Sequence, residues 1–172
     1  MRTTALFLLA LLAVASTASA QLLKFGPGLE YAAPMGSFAD RVGSGIGGVG
    51  QVKFDLPFVT VLGAVDYIKF SEKELTTNVG GTPVTTKQSA EMWGLNAGAT
   101  LGILPMIYGG AEVGTYFVTE RTEESDSGAD HKVTLGAIAP LVGISFGKFD
   151  VSVRYVFLKD SDFLLVRGVV LF

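Results

Sequence analysis

The most regular pattern in the chain is a two-residue alternation of apolar and polar positions, clearest near the C-terminus. There Phe149, Val151, Val153, Tyr155 and Phe157 alternate with Asp150, Ser152 and Arg154. Successive side chains of a β-strand point to opposite faces, so this period predicts a strand with one apolar and one polar face. A break at Lys159-Asp160-Ser161 follows, and Asp162 to Phe172 returns as a second strand with a single charge, Arg167, at its midpoint.

The same reading divides the rest of the chain into six further strands. Leu22 to Ala33 sets Leu23, Phe25, Pro27, Leu29 and Tyr31 against Lys24, Gly26, Gly28 and Glu30. Pro27 has no N–H to give to a ladder, so a bulge is expected there. Ser44 to Asp55 sets Ile46 and Val52 against Gln51 and Lys53, and Phe58 to Ser71 sets Val61, Val65 and Tyr67 against Ala64 and Asp66. Gln88 to Ile103 opposes Trp93 and Leu95 to Met92 and Asn96, and Met106 to Glu120 opposes Val113 and Phe117 to Glu112 and Tyr116. His131 to Phe146 alternates least well and contains Pro140.

The connections sort by length. Tight turns fall near Leu56, Leu104 and Gly147, and longer polar stretches at 34–43, 72–87 and 121–130, with a short final loop near Lys159. An even number of strands with short turns at one end and long loops at the other is the pattern of an outer-membrane barrel. The fold expected is therefore an all-β, eight-stranded antiparallel up-and-down transmembrane β-barrel. Charge placement agrees, because Lys or Arg facing lipid at mid-membrane costs roughly 2–4 kcal/mol. Glu30, Lys53, Asp66, Glu112, Arg154 and Arg167 all lie on the polar face, while Lys69 and Glu91 break the rule near the loop ends of their strands. Aromatic residues collect towards strand ends, as in interfacial girdles.

The first twenty residues read as an export signal. Arg2 supplies the positive start, Ala5 to Val14 an apolar run too short for a membrane anchor, and Ala18-Ser19-Ala20 a small-residue cleavage site. The division expected is a signal peptide over 1–20 and one barrel domain over 21–172. Without Arg2, twelve Lys and Arg oppose sixteen Asp and Glu, a net charge of −4 that argues against a nucleic-acid partner. No cysteine is present, which excludes disulfides and thiol-based metal or redox motifs. A lipocalin-like soluble barrel is the alternative fold, with apolar residues inside and charges outside.

The chain resembles the small bacterial outer-membrane β-barrel proteins of the OmpX/OmpA-like superfamily, the "outer membrane protein beta-barrel domain" family. The residues that carry the resemblance are Pro34 to Asp40 before the glycine-rich Gly43 to Gly50, Tyr108 to Gly114, Arg154-Tyr155, and the terminal Phe172. The resemblance implies the bacterial outer membrane as location and outer-membrane lipid and lipopolysaccharide as surroundings. It also implies that Phe172 is part of the signal read by the outer-membrane insertion machinery.

Candidate chemistry is confined to the lumen and the loops. Counting from the turn end of each strand places Glu112, Arg154 and Arg167 in one layer, with Glu30 and Asp66 two or three positions higher. Lys24, Lys53, Asp55 and Asp150 would form a lower layer. Such charges neutralise one another and plug an eight-stranded lumen, which is only wide enough for side chains. The competing reading is a small pore for ions or small solutes, with Gly26, Gly28, Gly94, Gly98, Gly110 and Gly114 leaving space. The acidic stretch Glu120 to Asp130 reads as a solvated loop, with a divalent cation as the sharper option. The only histidine, His131, lacks a partner arrangement for catalysis, and Ser125 and Ser127 lie on the same loop. The expectation is thus a monomeric, non-enzymatic barrel without cofactors, acting structurally or by surface interaction through its loops.

Overall fold

A computed structural model describes residues 22–79, 82–123 and 129–172. The proposed export signal lies outside these residues. The strands are β1 (Leu23–Pro34), β2 (Gly45–Asp55), β3 (Thr60–Phe70), β4 (Lys73–Val79), β5 (Thr82–Gly102), β6 (Ile107–Glu123), β7 (Ala129–Phe146), β8 (Phe149–Leu158) and β9 (Phe163–Val170). One short helix, α1 (Gly36–Arg41), lies between β1 and β2. The strands pair antiparallel in the order β3-β2-β1-β9-β8-β7-β6-β5-β4, and a β3–β5 pairing closes the ring. The result is a closed eight-stranded antiparallel barrel.

Nine segments make eight staves because β3 and β4 are one stave with a kink. Lys69 faces Glu91 and Lys73 faces Gln88, so three residues on one side oppose two on the other. This is a β-bulge, and it bends the stave where it leaves the barrel. The 72–87 connection is therefore not a loop, as its polarity suggested, but largely a hairpin: β4 pairs with the start of β5 from Lys73↔Gln88 to Val79↔Thr82. Its polar composition fits strands that have left any apolar surroundings.

Neither proline produces a bulge. Pro27 holds its register with β2, and on the other side the β1–β9 register starts at Gly28↔Val169. The chains rejoin in phase at Phe25, whose N–H and carbonyl both bond Phe172. Pro140 behaves alike, since the β7–β8 register passes from Ile138↔Phe157 to Leu141↔Arg154 without a shift. A missing N–H is accommodated by a gap in one ladder, with the ring on the outer face.

The alternation sets inside from outside. Leu29 is 75% exposed, Ile46 70% and Val113 58%, whereas Glu30, Asp66, Glu112, Arg154 and Arg167 are all at most 2% exposed. Apolar residues outside and charges inside is the inverse of a soluble barrel. Rings border this outer belt: Tyr67 and Trp93 stand 4.7 Å apart towards the loop end, and Phe146 and Phe149 5.7 Å apart at a turn. Lys69 and Glu91 face each other in register on that loop-end rim, with Nζ and Oε1 3.7 Å apart.

Candidate functional site

The middle of the lumen is organised by Arg167 of β9, which is completely buried. Its Nε donates to Glu30 Oε1 (2.5 Å), Nη2 to Asp66 Oδ1 (2.6 Å) and Nη1 to Gln51 Oε1 (3.1 Å), while Glu112 Oε1 lies 3.6 Å from Nη1. One guanidinium thus ties β1, β2, β3 and β6 to β9. Arg154 of β8 extends the group by bonding Glu112 and, at 3.0 Å, Ser152 Oγ. Asn96 donates to Asp66 and to Tyr116 OH (3.2 Å), and the Tyr116 hydroxyl donates to Asp66 Oδ2 (3.2 Å). The rigid planar fork of arginine suits such a junction, since one side chain can meet several acceptors at fixed angles.

Glu30 and Asp66 do not form the higher layer expected from counting along the strands. Glu30 pairs directly with Arg167 in the β1–β9 register, and Asp66 is within hydrogen-bond reach of the same guanidinium. Counting from strand ends ignores the stagger that barrel closure imposes on neighbouring strands. The lower layer does form. Lys53 Nζ bonds Asp150 Oδ2 (2.5 Å), Tyr108 OH bonds Asp150 Oδ1 (2.8 Å), and the ammonium sits 4.4 Å from the Tyr108 ring centroid. Lys24 and Asp55 form a half-exposed ion pair of 2.8 Å at the turn-end mouth. There a cavity of about 170 Å³ is lined by Lys24, Lys53, Asp55 and Tyr108.

The six lumen-facing glycines do not leave space. A Cβ on Gly114 would stand 2.0 Å from Asn96 Oδ1, and one on Gly98 2.3 Å from the Ala111 carbonyl; Gly26, Gly28, Gly94 and Gly110 are equally crowded. They are small because the wall curves tightly and polar neighbours fill the gap. This removes the feature that supported a pore.

The upper half of the lumen is apolar, which the alternation did not reveal. Ile68, Phe70, Met92, Val118, Leu158, Phe163 and Leu165 are buried there with Phe38 of α1. The Phe38 ring packs edge-on against Phe70 (5.0 Å), Phe70 against Phe163 (5.8 Å), and Phe163 against Tyr116 (5.8 Å), whose hydroxyl belongs to the polar layer below. Polar contacts at the rim hold α1: Arg41 bonds Glu120 Oε1 (2.8 Å) and the Asp160 carbonyl (2.5 Å), and Lys73 bonds the Ala39 carbonyl (2.5 Å). Burying one phenylalanine is worth roughly 1.5–3 kcal/mol, and a half-exposed ion pair at most about 1 kcal/mol. Beside α1, a cavity of about 270 Å³ is lined by Arg41, Val118, Glu120, Leu135, Lys159 and Asp160.

Among solved structures, the chain aligns with Ail, the attachment invasion locus protein of Yersinia pestis. The TM-score is 0.55 at 13% identity, over 88% of this chain and 97% of Ail. Neisserial surface protein A aligns with a TM-score of 0.53 at 12% identity, over 87% of this chain and 95% of that one. The fold shared with both is a small closed eight-stranded antiparallel β-barrel. Ail in complex with the heparin analogue sucrose octasulfate also aligns, with a TM-score of 0.50 at 14% identity over 88% and 97%. No family model and no curated protein sequence matches the chain.

Of the seven charges read from the sequence as lumenal, Glu30, Lys53, Asp66, Glu112, Arg154 and Arg167 are buried, five of them in one network, and Lys24 is half-exposed at the turn-end mouth. Sequence reading missed the neutral members, Gln51, Asn96, Tyr108, Tyr116 and Ser152, although all lie on the polar parity and that parity was the available signal. Phe172 lies on the outer face at the turn end, with the Lys148 ammonium 5.4 Å from its ring centroid. Of the acidic stretch, β6 runs to Glu123 and β7 starts at Ala129; residues 124–128, including Ser125 and Ser127, lie outside the described residues. His131 pairs with Glu120 in the β6–β7 ladder. Among the described residues, no cluster of three or more His, Asp or Glu is arranged to hold a metal ion.

Proposed function

We propose that the chain is a monomeric, non-enzymatic protein of the bacterial outer membrane that keeps a closed lumen and acts through its loop end at the cell surface. The observation that carries this reading is the double obstruction of the lumen: a charged layer centred on Arg167 and, above it, an apolar layer stoppered by Phe38. A barrel closed at two levels has its function on its rim. The exposed apolar belt meets outer-membrane lipid, with lipopolysaccharide in the outer leaflet. The tight turns and Phe172 face the periplasm, where the insertion machinery reads the terminal strand.

The loop end narrows the class of partner. Over residues 34–44, 69–91, 119–132 and 159–162, eleven Asp and Glu oppose seven Lys and Arg. Ail was crystallised with a polysulfated ligand. An acid excess repels such polyanions, so the partner here is a neutral or cationic surface.

Planar-bilayer recording tests the closed lumen, using refolded protein whose folding is verified by a mobility difference between unboiled and boiled samples. Folded protein is expected to stay electrically silent, and a steady current through it would overturn the reading. The orientation has its own test, made simple by the absence of native cysteines. On intact cells a membrane-impermeant maleimide should label Lys159→Cys and spare Lys148→Cys, and the opposite pattern would invert the proposed topology.

A further inference from the structure

We propose that the apolar chamber at the loop end is a binding site for a small uncharged aromatic molecule, with α1 as its displaceable stopper and Phe38 in the guest's seat. The proposal rests on the cell-surface orientation above only for the side from which the guest arrives.

The first support is the origin of the filling. The walls, including Phe70, Met92, Leu158 and Phe163, come from barrel staves, but the group at their centre comes from a loop. A core filled by its own staves is permanent, whereas one filled by a connecting segment opens when that segment moves. The second is the character of α1. It has six residues, no side-chain N-cap bond and no acidic residue in its first turn, and Phe38 is its one buried residue. A helix this short has little stability of its own. At its start Gly36 has φ +54°, and a Cβ there would meet nothing within 4 Å, so this end of α1 is sterically open.

The third support is the way the stopper is held. Apart from Phe38 and the buried C-cap residue Val42, the side-chain tethers on α1 are polar and lie at the rim; both partners of the Arg41–Glu120 pair are 32% exposed, so water and salt compete for it. A cavity borders the chamber as well. The cavity beside Arg41 is walled by Val118, itself part of the chamber, and by Leu135, which packs against it.

The shape of the seat sets the class of guest. Phe38 meets Phe70 edge-to-face, and Phe163 and Tyr116 continue the same arrangement downward. These walls suit one aromatic ring, and their lack of charge excludes an ionised one. The floor is polar, with Tyr116 OH engaged by Asn96 and Asp66, and Arg167 closes the lumen beneath it. A guest can enter from the loop end and cannot pass through.

The test uses full-length protein refolded in micelles with a single cysteine at Ala90, a chamber residue that is 1% exposed. Ala90→Cys should react slowly with a polar maleimide, and adding Arg41→Ala, which removes the bonds to Glu120 and the Asp160 carbonyl, should accelerate labelling at least tenfold. Indole is the guest probe: in the Arg41→Ala background it should slow labelling at least fivefold in a saturable manner, and Phe38→Ala should strengthen that protection. An exposed Lys148→Cys control at the turn end, insensitive to both changes, removes general effects on the reagent. If Arg41→Ala leaves the Ala90→Cys rate unchanged, α1 is a fixed part of the core and the proposal fails. Faster labelling without saturable protection by indole also overturns it, since the chamber would open yet bind nothing. Heat-modifiable mobility verifies folding for each variant, and Phe38→Leu serves as the smaller change should Phe38→Ala not fold. Neither outcome depends on bilayer current or cell-surface labelling, so failure here is distinct from failure of the outer-membrane reading.

Discussion

Arg167 is the side chain whose loss the lumen should tolerate least. Glu30 and Asp66 are buried at 0–2% and bond the same guanidinium, and Glu112 stands 3.6 Å from it. Removing one partner of a buried ion pair costs about 3–5 kcal/mol because the other charge is left uncompensated. Arg167→Ala should therefore lower stability by at least about that amount, read as a shift of the urea midpoint of refolded protein. Arg154→Ala should shift it less, because Glu112 keeps Arg167 nearby; equal shifts would show that the two arginines share the layer evenly. The glycines give an opposite pair. Gly114→Ala places a methyl 2.0 Å from Asn96 Oδ1 and 2.5 Å from the Leu95 carbonyl, an overpacking expected to cost roughly 1–3 kcal/mol. Gly50→Ala, with nothing within 4 Å of its new carbon, should stay within about 0.5 kcal/mol of the parent.

At the scale of elements, the staves were legible because a period of two fixes which side chains share a face, whatever the neighbours are. Thus Glu30, Lys53, Asp66, Glu112, Arg154 and Arg167 were placed inside from sequence alone. The height at which they meet was not legible, because Glu30 and Arg167 come level only through the inter-strand stagger of a closed ring. The apolar chamber was hidden for another reason. Near the loop end both faces of a stave are apolar, as in Phe163-Leu164-Leu165-Val166, so alternation gives no contrast there. Six residues are also too few to show a helical period, which left α1 inside an apparent loop. The β4–β5 hairpin was missed because its polar sequence matches that of a solvated connection. Its strands pair with each other from Lys73↔Gln88 onward, while β5 first meets β6 at Lys87↔Glu123. Replacing residues 73–86 by a short turn should therefore keep the heat-modifiable fold. The loss should be about 1 kcal/mol, the worth of the Lys73 bond to the Ala39 carbonyl; a barrel that no longer folds would make the hairpin part of the closure.

For the whole molecule, the lumen has two seals of different physics, and they should fail independently. The upper seal excludes water by apolar contact around Phe38, and the lower fills the bore with paired charges around Arg167 and Arg154. With Phe38→Ala alone, the paired charges still occupy the bore, so bilayers should remain silent. With Arg154→Ala alone, the layer loses a guanidinium but the apolar stopper keeps ions out. Only the double variant removes the stopper and thins the charged layer at once. What remains at mid-lumen is then Glu30, Asp66 and Glu112 against Arg167 alone, a ring of excess negative charge of the kind that selects cations. The double variant should show current steps absent from either single variant, with a reversal potential in a salt gradient that reports cation preference. If Phe38→Ala conducts by itself, the charged layer is permeable and the stopper is the sole gate. If the double variant stays silent while heat-modifiable, the crowding at Gly98 and Gly114 is itself sufficient to close the bore.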